Sequence, residues 1–150
     1  MKAVFQRVYD ASVSVDGETV GAIGKGALIQ LGVMENDTEE QARLMAKKIA
    51  NLRVFTDEND KMNLSLLDIG GEVLAISNFT LAANCRHGRR PEFLAAARPE
   101  TALPLYERFM EALRENGVTK VEAGQFGADM TVQMRGNGPV TIELDTREWE

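Results

Sequence analysis

The chain has one cysteine and one histidine in 150 residues. A single cysteine closes no internal disulfide and builds no thiolate cage. A single histidine excludes a multi-histidine metal site. A carboxylate-only site for a hard cation stays open, but no acidic cluster falls at calcium-loop spacing. No apolar run approaches eighteen residues, so no segment is expected to cross a membrane as a helix. The opening "MKAVFQRVYDASVSV" places Gln6 and Arg7 inside its apolar stretch, unlike a signal peptide, so a cytoplasmic location is expected. Repeats, low-complexity segments and linker-like composition are missing too, and 1–150 reads most simply as one domain. Positive charge is also in short supply, with 17 Lys and Arg against 23 Asp and Glu and a net charge of −6. That balance argues against a protein that coats nucleic acid without specificity. It leaves room for one local basic patch, and Arg86, His87, Arg89 and Arg90 form the densest one.

What is present is enough apolar residue, 44% of the chain, to build a core and make disorder an unsuitable description. "AVFQRVYD" and "ASVSV" alternate partly with period two and predict strands. Asp16-Gly17 is a two-residue hairpin signal before "ETVGAIG". "GALIQLGV" predicts a strand buried on both faces. "DTEEQARLMAKKIANL" predicts a helix, with Asp37 or Thr38 as its cap and Glu40 or Gln41 as the reciprocal partner. Its Ala42, Met45, Ala46 and Ile49 share one face. "RVFTDENDKMNLSL" reads as a short strand, a polar turn and a second short strand. "GEVLAISNFTLAA" reads as a central strand running out into a loop. "PETALPLYERFMEALRENG" predicts a second long helix, capped by Thr101, with Pro104 in its first turn and Asn116-Gly117 at its end. Tyr106, Phe109, Met110 and Leu113 make its buried stripe. "VTKVEAG", "ADMTVQMRG" and "PVTIELD" predict three more strands, with "GNGP" as a sharp turn between the last two. The expected class is α/β: a largely antiparallel, barrel-like sheet with two long helices packed outside. Met62, Met130 and Met134 are expected in the core.

Chemistry concentrates in "SNFTLAANCRHGRRP". Ser77 and Thr80 are hydroxyls at a strand end, but a nucleophile needs a base oriented by a third group. His87 sits in an arginine-rich loop, and no "GxSxG" elbow is present. The plain alternative is that both hydroxyls satisfy backbone groups at the strand end. "NCRHGRRP" reads equally as a solvated turn with Gly88 at positive φ and as a phosphate contact through arginine forks. Cys85 reads as a small, at least half-buried filler. "RGNGPVT" reads as a hairpin turn, yet its Gly-Pro pair is also a place where a cis peptide is held.

These two stretches carry a resemblance. "SNFTLAA" is similar to the "SQFTLAA" segment of the D-aminoacyl-tRNA deacylases, and "NGPVT" to that family's Gly-cis-Pro segment. "AVFQRVYDASVSVDGE", "GVMENDTEEQ", "LRVFTDENDKMNLSLLDIGGEVL", "GRRPEF" and "GQFGADMTV" resemble the same family in the same order. The resemblance implies a homodimer with two active sites at the interface. It implies hydrolysis of the ester between a D-amino acid and the 3′-terminal adenosine of tRNA, and removal of glycine mis-attached to alanine tRNA. It implies no metal, no cofactor, no membrane and no DNA. Ser77, Asn78, Phe79 and Thr80 would form the catalytic pocket, and Gly138 and Pro139 would reach into the partner's pocket to hold the amino group. Arg7, Phe126 and Met130 match positions near that pocket and that turn, and Arg86, Arg89 and Arg90 would touch the tRNA. Backbone N–H groups near Phe79 and Thr80 would steady the oxyanion, with the RNA 2′-hydroxyl assisting the water. L-residues would be rejected by clash, which glycine escapes. The pattern has glutamine where this chain has Asn78.

Three rivals stand beside this reading. A trans Gly-Pro relative would accept small L-amino acids on mischarged tRNA. A module that binds RNA ends without turnover is the second, favoured by Asn78. A serine-type esterase is the third, and it would need a base that the sequence does not offer.

Overall fold

The computed structural model describes residues 1–149. Strand β1 (Lys2–Val15) is one continuous strand covering both predicted pieces. It turns through Asp16 and Gly17, at φ +51° and +82°, into β2 (Glu18–Ile23). Both turn residues are left-handed, which matches the right-handed twist of a tight hairpin. Strand β3 (Gly26–Gly32) is buried at every position but Gln30, as its apolar run predicts. Helix α1 (Glu39–Asn51) follows, with Thr38 as cap. The Gln41 side chain accepts the Thr38 backbone N–H at 2.7 Å. Asp37, the other candidate cap, instead accepts the Met34 N–H at 2.7 Å and the Met1 ammonium at 2.9 Å.

The hairpin β4 (Phe55–Thr56) and β5 (Met62–Leu64) precedes a single turn, α2 (Leu66–Ile69), and then β6 (Glu72–Ser77). Helix α3 (Pro99–Glu115), β7 (Val121–Ala123) and β8 (Thr131–Asp145) complete the described elements, apart from 3₁₀ turns at Phe79–Ala82 and Thr146–Trp149.

The main sheet runs β2-β1-β3-β6-β7, with β8 along the far side of β1. All three pairings of β1 are antiparallel, whereas β3-β6 and β6-β7 are parallel. The parallel pairs follow from the long crossovers through α1 and α3, which return the chain in the same direction. The sheet curls into a nearly closed barrel. A Cβ placed on Gly21 of β2 would fall 2.6 Å from the Ala123 carbonyl of β7, so only a glycine allows these strands to meet.

Two apolar groups fill the two faces. Ala42, Met45, Ala46 and Ile49 of α1 meet Tyr106, Phe109, Met110 and Leu113 of α3 over one face. Val8, Val13, Ile23, Leu28, Leu74 and Ile76 fill the concave side. Among the described residues no helix is long and apolar enough to cross a membrane.

Several sequence expectations are corrected. "GNGP" is no hairpin turn, because "ADMTVQMRG" and "PVTIELD" are one strand, β8, paired along β1. Between the pairs Gln6–Thr141 and Val8–Gly136, β1 advances two residues and β8 five, so three residues of β8 are extra. The glycines serve a wide bulge rather than a reversal. Helix α3 starts at Pro99 and not after Thr101, since proline at the first position needs no N–H partner. Pro104 therefore lies inside the helix, beyond its first turn. Met62 and Met134 are not core residues but are 56% and 41% exposed. Cys85 is likewise exposed, not a buried filler.

Candidate active site

Strand β6 is buried from Val73 to Ile76 and opens at Ser77. The Asn78 N–H still pairs with the Leu31 carbonyl at 2.8 Å, and the chain then breaks away. Asn78 caps the 3₁₀ turn Phe79–Ala82 by accepting the Thr80 N–H on its side-chain oxygen at 3.0 Å. This is the local competition that asparagine offers to a strand, and it ends β6 where the sequence suggested a run-out into loop. The turn lies against the end of β3, where a Cβ on Gly32 would sit 2.9 Å from the Leu81 Cβ.

A cleft of about 770 Å³ opens at this turn. Ile76, Val33, Ala102 and Phe126 give it an apolar lining. Ser77, Asn78, Phe79, Thr80, Phe126 and Met130, all predicted for the site, come together there. Phe79 is 57% exposed and meets Phe93 edge-on, with ring centroids 5.1 Å apart. Met130 packs over Gly124, where a Cβ would come within 2.6 Å of its sulfur. Behind Phe126 lies Tyr106, whose hydroxyl donates to the Ala75 carbonyl at 2.6 Å. Burial pushes this phenol up to about 12 and keeps it a neutral donor.

The polar part of the site is a short chain of hydrogen bonds. The Asn78 side-chain oxygen accepts both the Thr80 N–H and the Thr80 hydroxyl. The Asn78 amide nitrogen donates to Oε1 of Gln30 at 2.6 Å. Thr80 therefore has an amide for a partner, not a base, and His87 lies exposed in the loop beyond, outside the lining of the cleft. The Thr80 N–H, expected as an oxyanion donor, is already committed to Asn78. The Leu81 N–H bonds the Asn78 carbonyl at 3.3 Å. The Phe79 N–H has no partner among the described residues.

Gly138, Pro139 and Arg7 do not line this cleft. Gly138 and Pro139 stand exposed on the β8 bulge, joined by a cis peptide, as the "NGPVT" resemblance implied. Arg7 lies beneath that bulge, only 8% exposed. Its Nε donates to the Asn137 carbonyl at 2.9 Å, and one terminal nitrogen donates to the Val54 carbonyl at 2.7 Å and the Thr56 hydroxyl at 3.3 Å. The other reaches the Asn137 side-chain oxygen at 3.4 Å.

Arg86, Arg89 and Arg90 are exposed on the loop between the 3₁₀ turn and Phe93. Paired backbone bonds between Asn84 and Glu92, at 2.8 and 3.0 Å, pin the base of this loop. Gly88 adopts φ +66°, as the turn reading required.

Sequence reasoning missed Gln30, Phe93, Arg98 and Asp129, all of which line the cleft. Gln30 had a signal, being the lone amide in the apolar strand "GALIQLG". The others come from loops whose course only the fold defines.

The chain matches the family model described as D-Tyr-tRNA(Tyr) deacylase over residues 4–145. It is 57% identical over 148 residues to a D-aminoacyl-tRNA deacylase of Thermus aquaticus, covering 99% of this chain and 97% of that one. It is 53% identical over 148 residues to the protein of the same name from Bacillus velezensis, covering 99% and 100%. Among solved structures it superimposes on a "c-Myc DNA Unwinding Element Binding Protein" with a TM-score of 0.91 and 44% identity, covering 97% and 98%. A "probable eukaryotic D-amino acid tRNA deacylase" shares the fold, with a TM-score of 0.81 at 18% identity over 95% and 97%.

Proposed function

Because the chain belongs to the D-Tyr-tRNA(Tyr) deacylase family, we propose that it hydrolyses the ester of D-aminoacyl-tRNA, releasing the D-amino acid and free tRNA. The observation that carries this reading is where the matching segment lies. "SNFTLAA" is the stretch in which β6 ends, and its Ser77, Asn78, Phe79 and Thr80 line the cleft. The reaction is acyl transfer to water. The unpartnered Phe79 N–H is suited to meet the developing oxyanion. Thr80 positions rather than attacks, since no base reaches it. Glycine mis-attached to alanine tRNA is a further substrate in this reading, because it has no side chain to clash. A cytoplasmic location follows from that role.

The working form in this reading is a homodimer. Gly138 and Pro139 are exposed on β8 and lie outside the lining of their own cleft, and among the described residues β8 pairs on one edge only, with β1. Val132 and Met134 of that strand are each 41% exposed, and Tyr9 beside it is 51% exposed. A second copy covers these groups and brings its Gly138–Pro139 bulge to the cleft, where the carbonyls hold the substrate amino group. A monomer in sedimentation at concentrations that support turnover would overturn this shared site.

One solved neighbour is named for DNA binding. The net charge of −6 here disfavours sequence-independent binding to duplex DNA.

The test is deacylation of D-tyrosyl-tRNA and L-tyrosyl-tRNA by the purified protein and by Thr80→Ala. Loss of the D-ester alone is expected, with the variant retaining measurable turnover. Inertness towards both esters would leave the non-catalytic RNA-end module as the better reading. Complete inactivity of the variant alone, with its thermal midpoint unchanged, would restore Thr80 as nucleophile.

A further inference from the structure

We infer that Gln30 is a positioning residue of this site, acting on Thr80 through the side chain of Asn78. The inference rests on the deacylase reading and adds a residue to it.

Gln30 breaks the pattern of β3. Its neighbours Ala27, Leu28, Ile29 and Leu31 are all fully or almost fully buried hydrophobics. An amide in such a strand needs a partner. β3 and β6 are parallel with Gln30 opposite Ile76, so Gln30 faces the point where β6 ends. There its Oε1 accepts the Asn78 amide at 2.6 Å.

This bond reinforces the orientation of the Asn78 amide that the Thr80 N–H already requires. With its nitrogen turned to the Gln30 oxygen, its own oxygen faces Thr80 and accepts from both the N–H and the hydroxyl. The opposite orientation would set an NH₂ against the Thr80 N–H and an oxygen against the Gln30 oxygen. Both contacts would be repulsive. Gln30 thereby braces the amide whose oxygen takes the Thr80 hydroxyl hydrogen. A hydroxyl has one hydrogen and two lone pairs. What Thr80 has left for the cleft is acceptor capacity, suited to a donor on the substrate and unsuited to giving up a proton. Without Gln30 the Asn78 amide is held from the Thr80 side alone, and the cap on Thr80 loosens.

A double-mutant cycle tests this with D-tyrosyl-tRNA as substrate, following kcat, KM and the thermal midpoint. Gln30→Leu keeps nearly the same volume and removes the acceptor. It is expected to lower kcat/KM on the order of tenfold, the scale of one hydrogen bond that orients a polar group. In an Asn78→Ala background the same change is expected to cost less than about twofold, because nothing remains to orient. Gln30→Glu keeps an oxygen facing the Asn78 amide and recovers most of the loss. Equal losses in both backgrounds would overturn the inference and make Gln30 a packing residue only. So would a loss that tracks the fall in thermal midpoint across all four variants. Inactivity of the unmutated protein on the D-ester would overturn the deacylase reading itself, and the inference with it. Activity with an additive cycle overturns the inference alone.

Discussion

Arg7 shows how one buried charge can hold a bulge that is remote in sequence. Its guanidinium spends its donors on the Val54 and Asn137 carbonyls, the Thr56 hydroxyl and the Asn137 side chain. None of these is a carboxylate, so the residue works as a bracket between the β4 region and the β8 bulge. Arg7→Met is expected to leave buried acceptors unpaired and cost about 1–3 kcal/mol in urea unfolding. Arg7→Lys is expected to recover only part of this, because an ammonium lacks the planar fork. Turnover should fall further than stability alone explains, since the bulge would lose its register. An Arg7→Met protein with unchanged urea midpoint and turnover would refute the bracket. Asn78 is the other residue of note. It is one methylene shorter than the glutamine of the pattern it resembles, yet its amide is engaged at both ends, between Gln30 and Thr80.

At the scale of elements, the site is a strand end made to stop. β6 supplies Ser77, the 3₁₀ turn displays Phe79 and Thr80, and the end of β3 supports that turn from below. Gly32 lets the two approach. A Cβ there would lie 2.9 Å from the Leu81 Cβ and 3.3 Å from the Asn78 carbonyl. Gly32→Ala is expected to shift the turn outward, costing about 1–3 kcal/mol of overpacking and a larger share of turnover. Thermal unfolding and deacylation measured together check this, and an unaffected rate would show that the turn tolerates the shift. The helices were legible because their apolar spacing and cap residues are local signals. Ala42, Met45 and Ile49 repeat at helical intervals, and Thr38 and Gln41 meet three residues apart. The single strand β8 was not legible. Its glycines look like a reversal in sequence, and only pairing with β1 on both sides of the bulge shows that the chain runs straight on.

For the whole molecule, charge is the relevant quantity. An acidic body carries one exposed basic loop next to the cleft, with Arg86, Arg89 and Arg90 all at the surface. A protein that must release each tRNA after inspection gains from few phosphate contacts. Replacing Arg89 and Arg90 together by Glu is expected to raise KM for aminoacyl-tRNA and to flatten its salt dependence by about two contacts' worth in the log–log slope. kcat should change little, because the loop lies outside the cleft lining. An unchanged KM and an unchanged slope would remove the loop from tRNA contact.

The sequence by itself determined the two long helices, the Asp16-Gly17 hairpin, the buried strands β3 and β6, and the segment whose Ser77 to Thr80 line the cleft. Each of these rests on neighbours within about one or two turns of chain, where propensity, period and capping act. The tertiary structure alone decided the rest. It set Gln30 against Asn78 across 48 positions of sequence and Arg7 against Asn137 across 130. It joined two predicted strands into one. It left Gly138 and Pro139 outside the lining of the cleft. Those outcomes depend on strand register and on which strands become neighbours. The sheet closes as a unit, and no local run of residues encodes that choice.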